Sequence, residues 1–328
     1  LDLKDRKILY ELDLNSRQSF SQIGKKVGLH KDVVSYRVSK LLEKGIIRHF
    51  CAYINDSILD YHHIRLYITF QFITPKIKSE IINYFVNNDY LEFVHSTEGH
   101  YDLCLIVSTK NIPEFFNKFW YKSLKKYRKY FANIVFSYTT HNHLYPFTFL
   151  INEEKDRNIN EIKKMEYDRT KNVILDKTDL EIIKIIGLNS RIPTLEIAKK
   201  LNISTITINT RIKKLLESGV IQRFRIFLDE SKLGFKTFKI HLILKNYDQI
   251  NNIINCIEKN PHLTDIDYNM GYADIEFVFR LKGTNQLFKI VDDLSGKYPE
   301  SIKNYTYIGL TKSHKLSYLP KIKINVQN

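Results

Sequence analysis

The chain has 328 residues, of which 43% are hydrophobic and 27% charged, as is typical of a globular protein with more than one domain. Its formal net charge of +15 favours a polyanionic partner, although the abundance of Lys, Asn, Ile and Tyr also fits an AT-rich genome. No apolar run reaches the roughly 18 residues of a membrane span, and no signal peptide opens the chain. We therefore expect a cytoplasmic protein without a membrane partner.

The first head, residues 1–56, contains three helical segments followed by an apolar strand pattern. Residues 5–13 carry an apolar stripe on one helical face. Ser19 is placed to cap the second helix, and Gly28 to make the turn that ends it. The third helix spans 30–45, and the pattern after it predicts a hairpin wing. Helix, tight turn, second helix and hairpin form a winged helix-turn-helix, which places its second helix in the major groove of DNA.

The next segment, residues 57–151, predicts a ferredoxin-like α+β sandwich. β-branched and aromatic residues mark the strands, and a short turn joins the middle pair. The order is β-α-β-β-α-β. The predicted elements are a strand over 61–72, a helix over 75–88, strands over 91–96 and 101–108, a helix over 113–130 and a strand over 132–145.

The second half repeats this plan. The letters NSR recur at 15–17 and 189–191, and LLE at 41–43 and 215–217. A repeat of this length indicates a tandem duplication. The predicted domains are a first head at 1–56, a first sandwich at 57–151, a solvated charged linker at 152–173, a second head at 174–230 and a second sandwich at 231–328.

These motifs resemble those of the Lrp/AsnC family of leucine-responsive regulators. The resemblance covers nearly the whole chain twice, and the residues that carry it are the openings LDLKDRKIL and LDKTDLEII, the head motifs SQIGKKVGL and LEIAKKLNI, and the turns GHYD and GYAD. It implies an α+β fold in which two winged helix-turn-helix domains alternate with two ferredoxin-like βαββαβ sandwich domains.

The resemblance also implies a prokaryotic, nucleoid-associated transcription regulator that binds double-stranded DNA. Members of the family dimerise through the sandwiches and often bind an amino acid between them. Usual members carry one head and one sandwich, whereas this chain carries two of each. The two sandwiches are therefore expected to pair within one chain as an internal pseudo-dimer. Association of such chains into a homo-oligomer is left as a further alternative.

The third helix of each head carries the predicted DNA-contacting side chains, because its apolar face turns inward. Arg37 and Arg211 are expected to touch phosphate, or alternatively to pair with Asp5 and Asp179 within each head. For the whole set, the alternative is a solvated helix face. The predicted residues are Lys31, Ser35, Tyr36, Arg37, Lys40, Thr205, Asn209, Thr210, Arg211 and Lys214.

The Gly-x-x-Asp turns are the predicted effector site. Gly99 and Asp102 lie on the first turn, and Gly271 and Asp274 on the second. A glycine lets the backbone turn or approach a ligand closely, and a carboxylate accepts the ammonium group of an amino acid. The alternative is a hairpin turn whose aspartate caps the backbone.

Four histidines are the candidates for a metal site, and we expect them instead to be exposed polar residues. His95, His100, His141 and His143 do not give the three or four converging ligands of a metal site. No catalytic set, phosphate loop or dinucleotide fingerprint is present, so no cofactor and no enzyme are predicted. The alternatives are an architectural DNA-coating protein and an enzyme of the sirohaem decarboxylase type, which shares the head-plus-sandwich plan.

Overall fold

The structure is a computed structural model that describes residues 1–152, 155–157, 165–166 and 173–316. Most of the predicted linker, 152–173, lies outside the described residues. Among the helices that are described, none is long and apolar enough to cross a membrane.

Helices and strands recur in the same order in both halves. The helices are α1 (Leu3–Leu14), α2 (Phe20–Val27), α3 (Lys31–Glu43), α4 (Pro75–Val86), α5 (Ile112–Phe115), α6 (Tyr121–Tyr127), α7 (Lys177–Leu188), α8 (Thr194–Leu201), α9 (Thr205–Glu217), α10 (Ile250–Glu258) and α11 (Thr284–Lys297). The strands are β1 (Ile47–Ile54), β2 (His62–Phe70), β3 (Leu91–Gly99), β4 (Leu103–Thr109), β5 (Phe131–Leu144), β6 (Met165–Glu166), β7 (Ile221–Leu228), β8 (Lys236–Leu244), β9 (Leu263–Gly271), β10 (Ile275–Leu281) and β11 (Ile302–Leu316).

Local signals place the helices of the heads. Ser19 caps α2 by accepting a hydrogen bond from Gln22 N, and the Gln22 side chain in turn accepts one from Ser19 N. Gly28 and Asn202 end α2 and α8 in the left-handed conformation, at φ +68° and +54°. The helix-turn-helix of each head therefore follows from residues that neighbour one another in sequence.

The predicted hairpin wing is replaced by pairing between the two heads. Each head contributes one strand, and β1 pairs with β7 in an antiparallel two-stranded sheet. The reason is the short 3-10 turn that follows each strand, Asp56–Leu59 after β1 and Glu230–Leu233 after β7. Each turn leads the chain out of its head and into the next strand, β2 or β8. Within the described residues, each head thus lacks a second wing strand of its own.

The cores of the heads cross between the halves. Ile8 and Leu9 of α1 pack with Ile226 of β7, and Ile182 of α7 packs with Ala52 of β1. These contacts join the first helix of each head to the strand of the other head.

Further contacts across the pseudo-twofold axis join the two NSR segments. Ser16 Oγ lies 2.6 Å from Ser190 Oγ, and Arg17 and Arg191 donate hydrogen bonds to carbonyl groups of the opposite segment. The third helices of the two heads, α3 and α9, therefore belong to one packed unit.

The two sandwiches close into one antiparallel barrel of eight strands. Each contributes a four-stranded sheet, in the orders β5-β2-β4-β3 and β11-β8-β10-β9 that a ferredoxin-like fold requires. The sheets join at two seams, where β3 pairs with β11 and β5 pairs with β9. Helices pack on the outside of the barrel, with Ile81 of α4 against Leu66 and Leu287 of α11 against Ile240. The predicted fold class is confirmed, with the closure as an added feature.

A described part of the linker departs from the expectation of a solvated segment. Arg157 is only 6% exposed, and its guanidinium donates hydrogen bonds to the carbonyl groups of Pro261 and Leu263. This arginine fastens the segment to the second sandwich through its NH2 group.

Candidate nucleic-acid interface and ligand sites

The first recognition helix, α3, presents the predicted side chains. Val34, Val38 and Leu41 are buried, as the apolar face requires. On the other face Lys31, Tyr36 and Lys40 are exposed, and Ser35 is half-buried. Lys40 Nζ lies 2.8 Å from Glu43 Oε2, in a contact that a phosphate group can replace.

The second recognition helix, α9, has the same inward face and different outward side chains. Asn209, Thr210 and Lys214 are exposed, and Thr205 is half-buried. Asn209 Oδ1 accepts a hydrogen bond from Thr194 Oγ1 at 3.1 Å, which orients the amide, and its amide nitrogen has no partner within the described residues. An amide held in this way is a suitable adenine reader.

Arg37 and Arg211 make the intra-head ion pairs that were the alternative to phosphate contact. The guanidinium of Arg37 lies 2.7 Å from Asp2 and 2.8 Å from Asp5, and that of Arg211 lies at the same distances from Asp176 and Asp179. Hydrogen bonds to these carboxylates raise the pKa of both arginines. The two residues therefore tie the recognition helix to the first helix of each head, and their phosphate contact stays a prediction.

The Gly-x-x-Asp turns lie at the seams of the barrel. Gly99 has φ +102°, and a Cβ atom there would lie 2.6 Å from Tyr307 O. Gly271 has φ +118°, and a Cβ atom there would lie 2.7 Å from Phe136 O. The glycines thus permit close approach between the backbones of the two halves.

The two aspartates cap neighbouring strands, as in the alternative interpretation of the turns. Asp102 Oδ2 accepts a hydrogen bond from Phe70 N at 2.8 Å, and Asp274 Oδ2 accepts one from Leu244 N at 2.7 Å. Asp274 Oδ1 also accepts a hydrogen bond from the Tyr247 hydroxyl. Asp102 Oδ1 has no such partner in the described part of the chain, so the two turns differ in what they offer a ligand.

A cavity of about 830 Å³ lies where the barrel meets β1 and β7. Its wall includes Tyr53 and Phe227 from the head strands and Arg65 and Lys239 from the barrel. None of the four turn residues belongs to this wall, so among the described residues the cavity and the predicted effector turns are separate places.

A buried ionic network spans the barrel beside this cavity. Arg65 NH2 lies 2.8 Å from Asp267 Oδ2, and Lys239 Nζ lies 3.0 Å from Glu276 Oε2. Burial disfavours the charged form of Glu276, but the cations of Lys239 and Arg65 outweigh it and hold its pKa well below the usual range. Tyr67 OH donates to the same carboxylate at 2.7 Å. The network therefore links strands of both halves.

A signal for this network is present in the sequence, although it was not among the predicted sites. Lys239 and His241 alternate with the apolar Phe238 and Ile240 along β8. In a strand whose apolar face is covered by helices, such charges point to the opposite face. A buried opposite face predicts polar partners on the other sheet.

The four histidines considered for a metal site have different neighbours. His141 stacks on Tyr268 with ring centroids 4.1 Å apart, and His143 lies 5.1 Å from the same ring. His95 is buried, which lowers its pKa to about 3, and His100 lies against Tyr307. Our expectation that all four would be exposed polar residues is wrong for His95, which is 6% exposed.

Another group of side chains does converge, and it was not predicted from the sequence. Asp56, His63 and Glu92 each offer one ligand atom, and these atoms lie within 4.8 Å of one another on the cavity wall. Burial opposes a charge on His63, but the carboxylates of Asp56 and Glu92 prevail and raise its pKa to about 9. Burial raises the pKa of Glu92 to about 8. No local motif revealed the group, because its members come from three different segments.

Comparisons with known proteins agree with the architecture. A model described as winged helix-turn-helix DNA-binding matches residues 1–48 and 175–222. The HTH-type transcriptional regulator FL11 of Pyrococcus horikoshii is 32% identical over 143 residues, which cover 44% of this chain and 93% of that protein. The regulatory protein AsnC of Haemophilus influenzae is 30% identical over 102 residues, or 31% of this chain and 68% of AsnC.

A solved structure shares the whole architecture. That of the siroheme decarboxylase NirDL covers 98% of this chain and 94% of its own, with a TM-score of 0.65 and 14% sequence identity. At this identity the likeness concerns the fold alone. The matches to FL11 and AsnC span most of the length of each of these relatives. The heads and sandwiches of this chain also have the order that the motifs implied. The chain therefore belongs to the Lrp/AsnC family of helix-turn-helix transcription regulators.

Proposed function

We propose that the protein is a sequence-specific DNA-binding transcription regulator that acts at the nucleoid and reads DNA with α3 and α9. The observation that carries the proposal is the pair of exposed helix faces, with Lys31 and Lys40 on one and Asn209 and Lys214 on the other. The formal net charge of +15 supports it, because phosphate neutralisation contributes much of the affinity for DNA.

A salt series tests the electrostatic part of this proposal. Two basic heads release counterions on binding, so log affinity should fall steeply with log salt concentration. Replacing Lys31 or Lys214 with Ala should make the slope shallower by about 1 if the residue contacts phosphate. Lys289→Ala on α11 removes the same charge from a helix outside the barrel and serves as the control. A slope near zero for the unmodified protein would exclude DNA binding of this kind.

Genome-wide mapping of bound DNA tests sequence specificity. A regulator should occupy discrete sites, whereas an architectural protein should cover the chromosome with little preference. Continuous coverage would favour the coating protein over the regulator.

The enzymatic alternative is a tetrapyrrole decarboxylase on the same fold. We propose that the chain is not such an enzyme, and the support is that Arg65 and Lys239 on the cavity wall are already paired with Asp267 and Glu276. An absorption spectrum of the protein titrated with an iron tetrapyrrole tests this. A stoichiometric spectral shift together with loss of a carboxyl group from the tetrapyrrole would overturn it.

For the effector we propose that the first Gly-x-x-Asp turn binds an amino acid and the second does not. Asp102 keeps one oxygen for an ammonium group, whereas Tyr247 already donates to the corresponding oxygen of Asp274. Calorimetric titration with each of the twenty amino acids is the measurement. Asp102→Asn, which keeps an acceptor for Phe70 N but removes the charge, should abolish binding, and Asp274→Asn should preserve it. Absence of binding to the unmodified protein would leave capping as the role of both aspartates.

A further inference from the structure

Asp56, His63 and Glu92 come together from three segments. Asp56 lies in the 3-10 turn after β1, His63 on β2 and Glu92 on β3. His63 Nε2 is 2.8 Å from Asp56 Oδ1, and His63 Nδ1 is 3.8 Å from Glu92 Oε2. One imidazole and two carboxylates at such spacing are the donor types that first-row divalent cations accept.

The group combines two buried carboxylates with one imidazole. Asp56 is 4% exposed and Glu92 is 6% exposed, so both carboxylates are almost withdrawn from water. Glu92 Oε1 has no hydrogen-bond partner among the described residues. A buried carboxylate oxygen in this position costs free energy unless a cation or a donor reaches it. The cavity of about 830 Å³, whose wall all three residues share, gives a cation a place to enter.

The second half provides an internal comparison. When the two halves are aligned by the repeat, Asp56 corresponds to Glu230 and Glu92 corresponds to Thr264. Ser108 corresponds to Arg280. The strand pairing agrees, since His63 faces Ser108 across β2 and β4, and Thr237 faces Arg280 across β8 and β10. In that half Arg280 Nε lies 2.7 Å from Glu230 Oε1, and Arg280 NH1 donates to Thr264 Oγ1 at 3.0 Å.

The guanidinium therefore bridges the second-half positions that correspond to Asp56 and Glu92. The first half has two carboxylates there and the small neutral Ser108 in place of the arginine. The first half therefore lacks the guanidinium that joins these two positions in the second half.

We propose that Asp56, His63 and Glu92 bind one divalent transition-metal cation of the Zn²⁺ type in the first half of the barrel. Three protein ligands leave at least one coordination position for water from the cavity. Because Asp56 belongs to the turn that leaves the head strand β1, the ion also fastens that turn to the barrel. This site does not depend on DNA binding, so the two proposals stand or fall separately.

The test is calorimetric titration of the chelator-treated, full-length protein with Zn²⁺, with Co²⁺ absorption as a second readout of the ligand field. We expect one tight equivalent of Zn²⁺. Glu92→Gln, which keeps the shape of the side chain, and His63→Gln should each weaken binding at least tenfold. His143→Gln and Glu230→Gln are the matched controls, a histidine and a carboxylate outside the group, and should leave the affinity unchanged.

Thermal unfolding adds a readout that does not depend on heat of binding. Zn²⁺ bound only to the folded state raises the unfolding midpoint by mass action. We expect this rise in the unmodified protein and in both controls, and its loss in Glu92→Gln and His63→Gln. Absence of stoichiometric Zn²⁺ binding, or equal affinity in the unmodified protein and in Glu92→Gln and His63→Gln, would overturn the proposal. Should one variant fail to fold, the other decides.

Discussion

Asp13 and Arg225 form a buried ion pair between α1 of the first head and β7 of the second head. Arg225 Nε lies 2.7 Å from Asp13 Oδ1, and Phe147 N donates to Asp13 Oδ2 at 2.9 Å. The repeat places Gly187 and Cys51 at the corresponding positions, so the pair occurs once. It is one of the places where the two halves have diverged into complementary parts.

Replacing Asp13 with Ala should lower the free energy of unfolding by about 3–5 kcal/mol, because Arg225 is left as an uncompensated buried charge. Denaturant titration followed by circular dichroism measures the change. Glu43→Ala, which removes the exposed partner of Lys40, is the control and should have little effect. Similar losses in both variants would mean that the buried pair contributes no more than a surface pair.

At the scale of elements, the barrel depends on two seams that were not apparent from either sandwich alone. At one seam His100 N donates to Tyr307 O at 3.1 Å, and at the other Tyr272 N donates to Phe136 O at 2.9 Å. Each bond follows a glycine with positive φ, Gly99 or Gly271. The conformational freedom of these glycines allows the hairpin of one sheet to meet the last strand of the other.

Gly99→Ala should destabilise the protein by about 1–3 kcal/mol, since the new Cβ atom meets Tyr307 O in a backbone conformation that L side chains rarely adopt. Gly296→Ala in α11 is the matched control, because open space surrounds that position. It should stabilise the helix by up to about 1 kcal/mol. Thermal unfolding of both variants gives the comparison. An unfolding midpoint of Gly99→Ala that stays unchanged or rises would show that the seam tolerates a side chain.

At the scale of the whole molecule, covalent duplication has made the two heads unequal. Ser35 and Tyr36 on α3 correspond to Asn209 and Thr210 on α9, while the packed strands β1 and β7 hold the heads together. Asparagine reads adenine through two hydrogen bonds, whereas serine is far less selective. A single chain therefore carries two different readers in a fixed relation.

Selection from a random DNA pool should recover an asymmetric site with two unlike half-sites, about one helical turn or a small multiple apart. The matched variant Ser35→Asn with Tyr36→Thr gives α3 the residues of α9 at these two positions, and its selected site should become more nearly palindromic. A palindrome with identical half-sites for the unmodified protein would contradict unequal reading. It would mean that one head dominates or that like heads pair between chains.

Local periodicity and capping were enough to identify two heads, two βαββαβ modules and their order, because these depend on residues within a few turns or one hairpin of each other. The buried faces of α3 and α9 follow from apolar residues at helical spacing, which begin at Val34 in α3 and at Ile208 in α9. The outward residues, from Lys31 to Lys214, follow from the same spacing.

Contacts between distant segments decided the rest. The partner of β1 lies about half the chain away, as Ser16 and Ser190 do at a separation of 174 residues, and no local pattern records such pairing. Tertiary packing assigned Arg37 to carboxylates of its own head, closed the barrel through Gly99 and brought His63 between two carboxylates. The physical reason is that charge pairing, cavity shape and strand closure depend on which faces meet, and amphipathic patterns specify only that a face is buried.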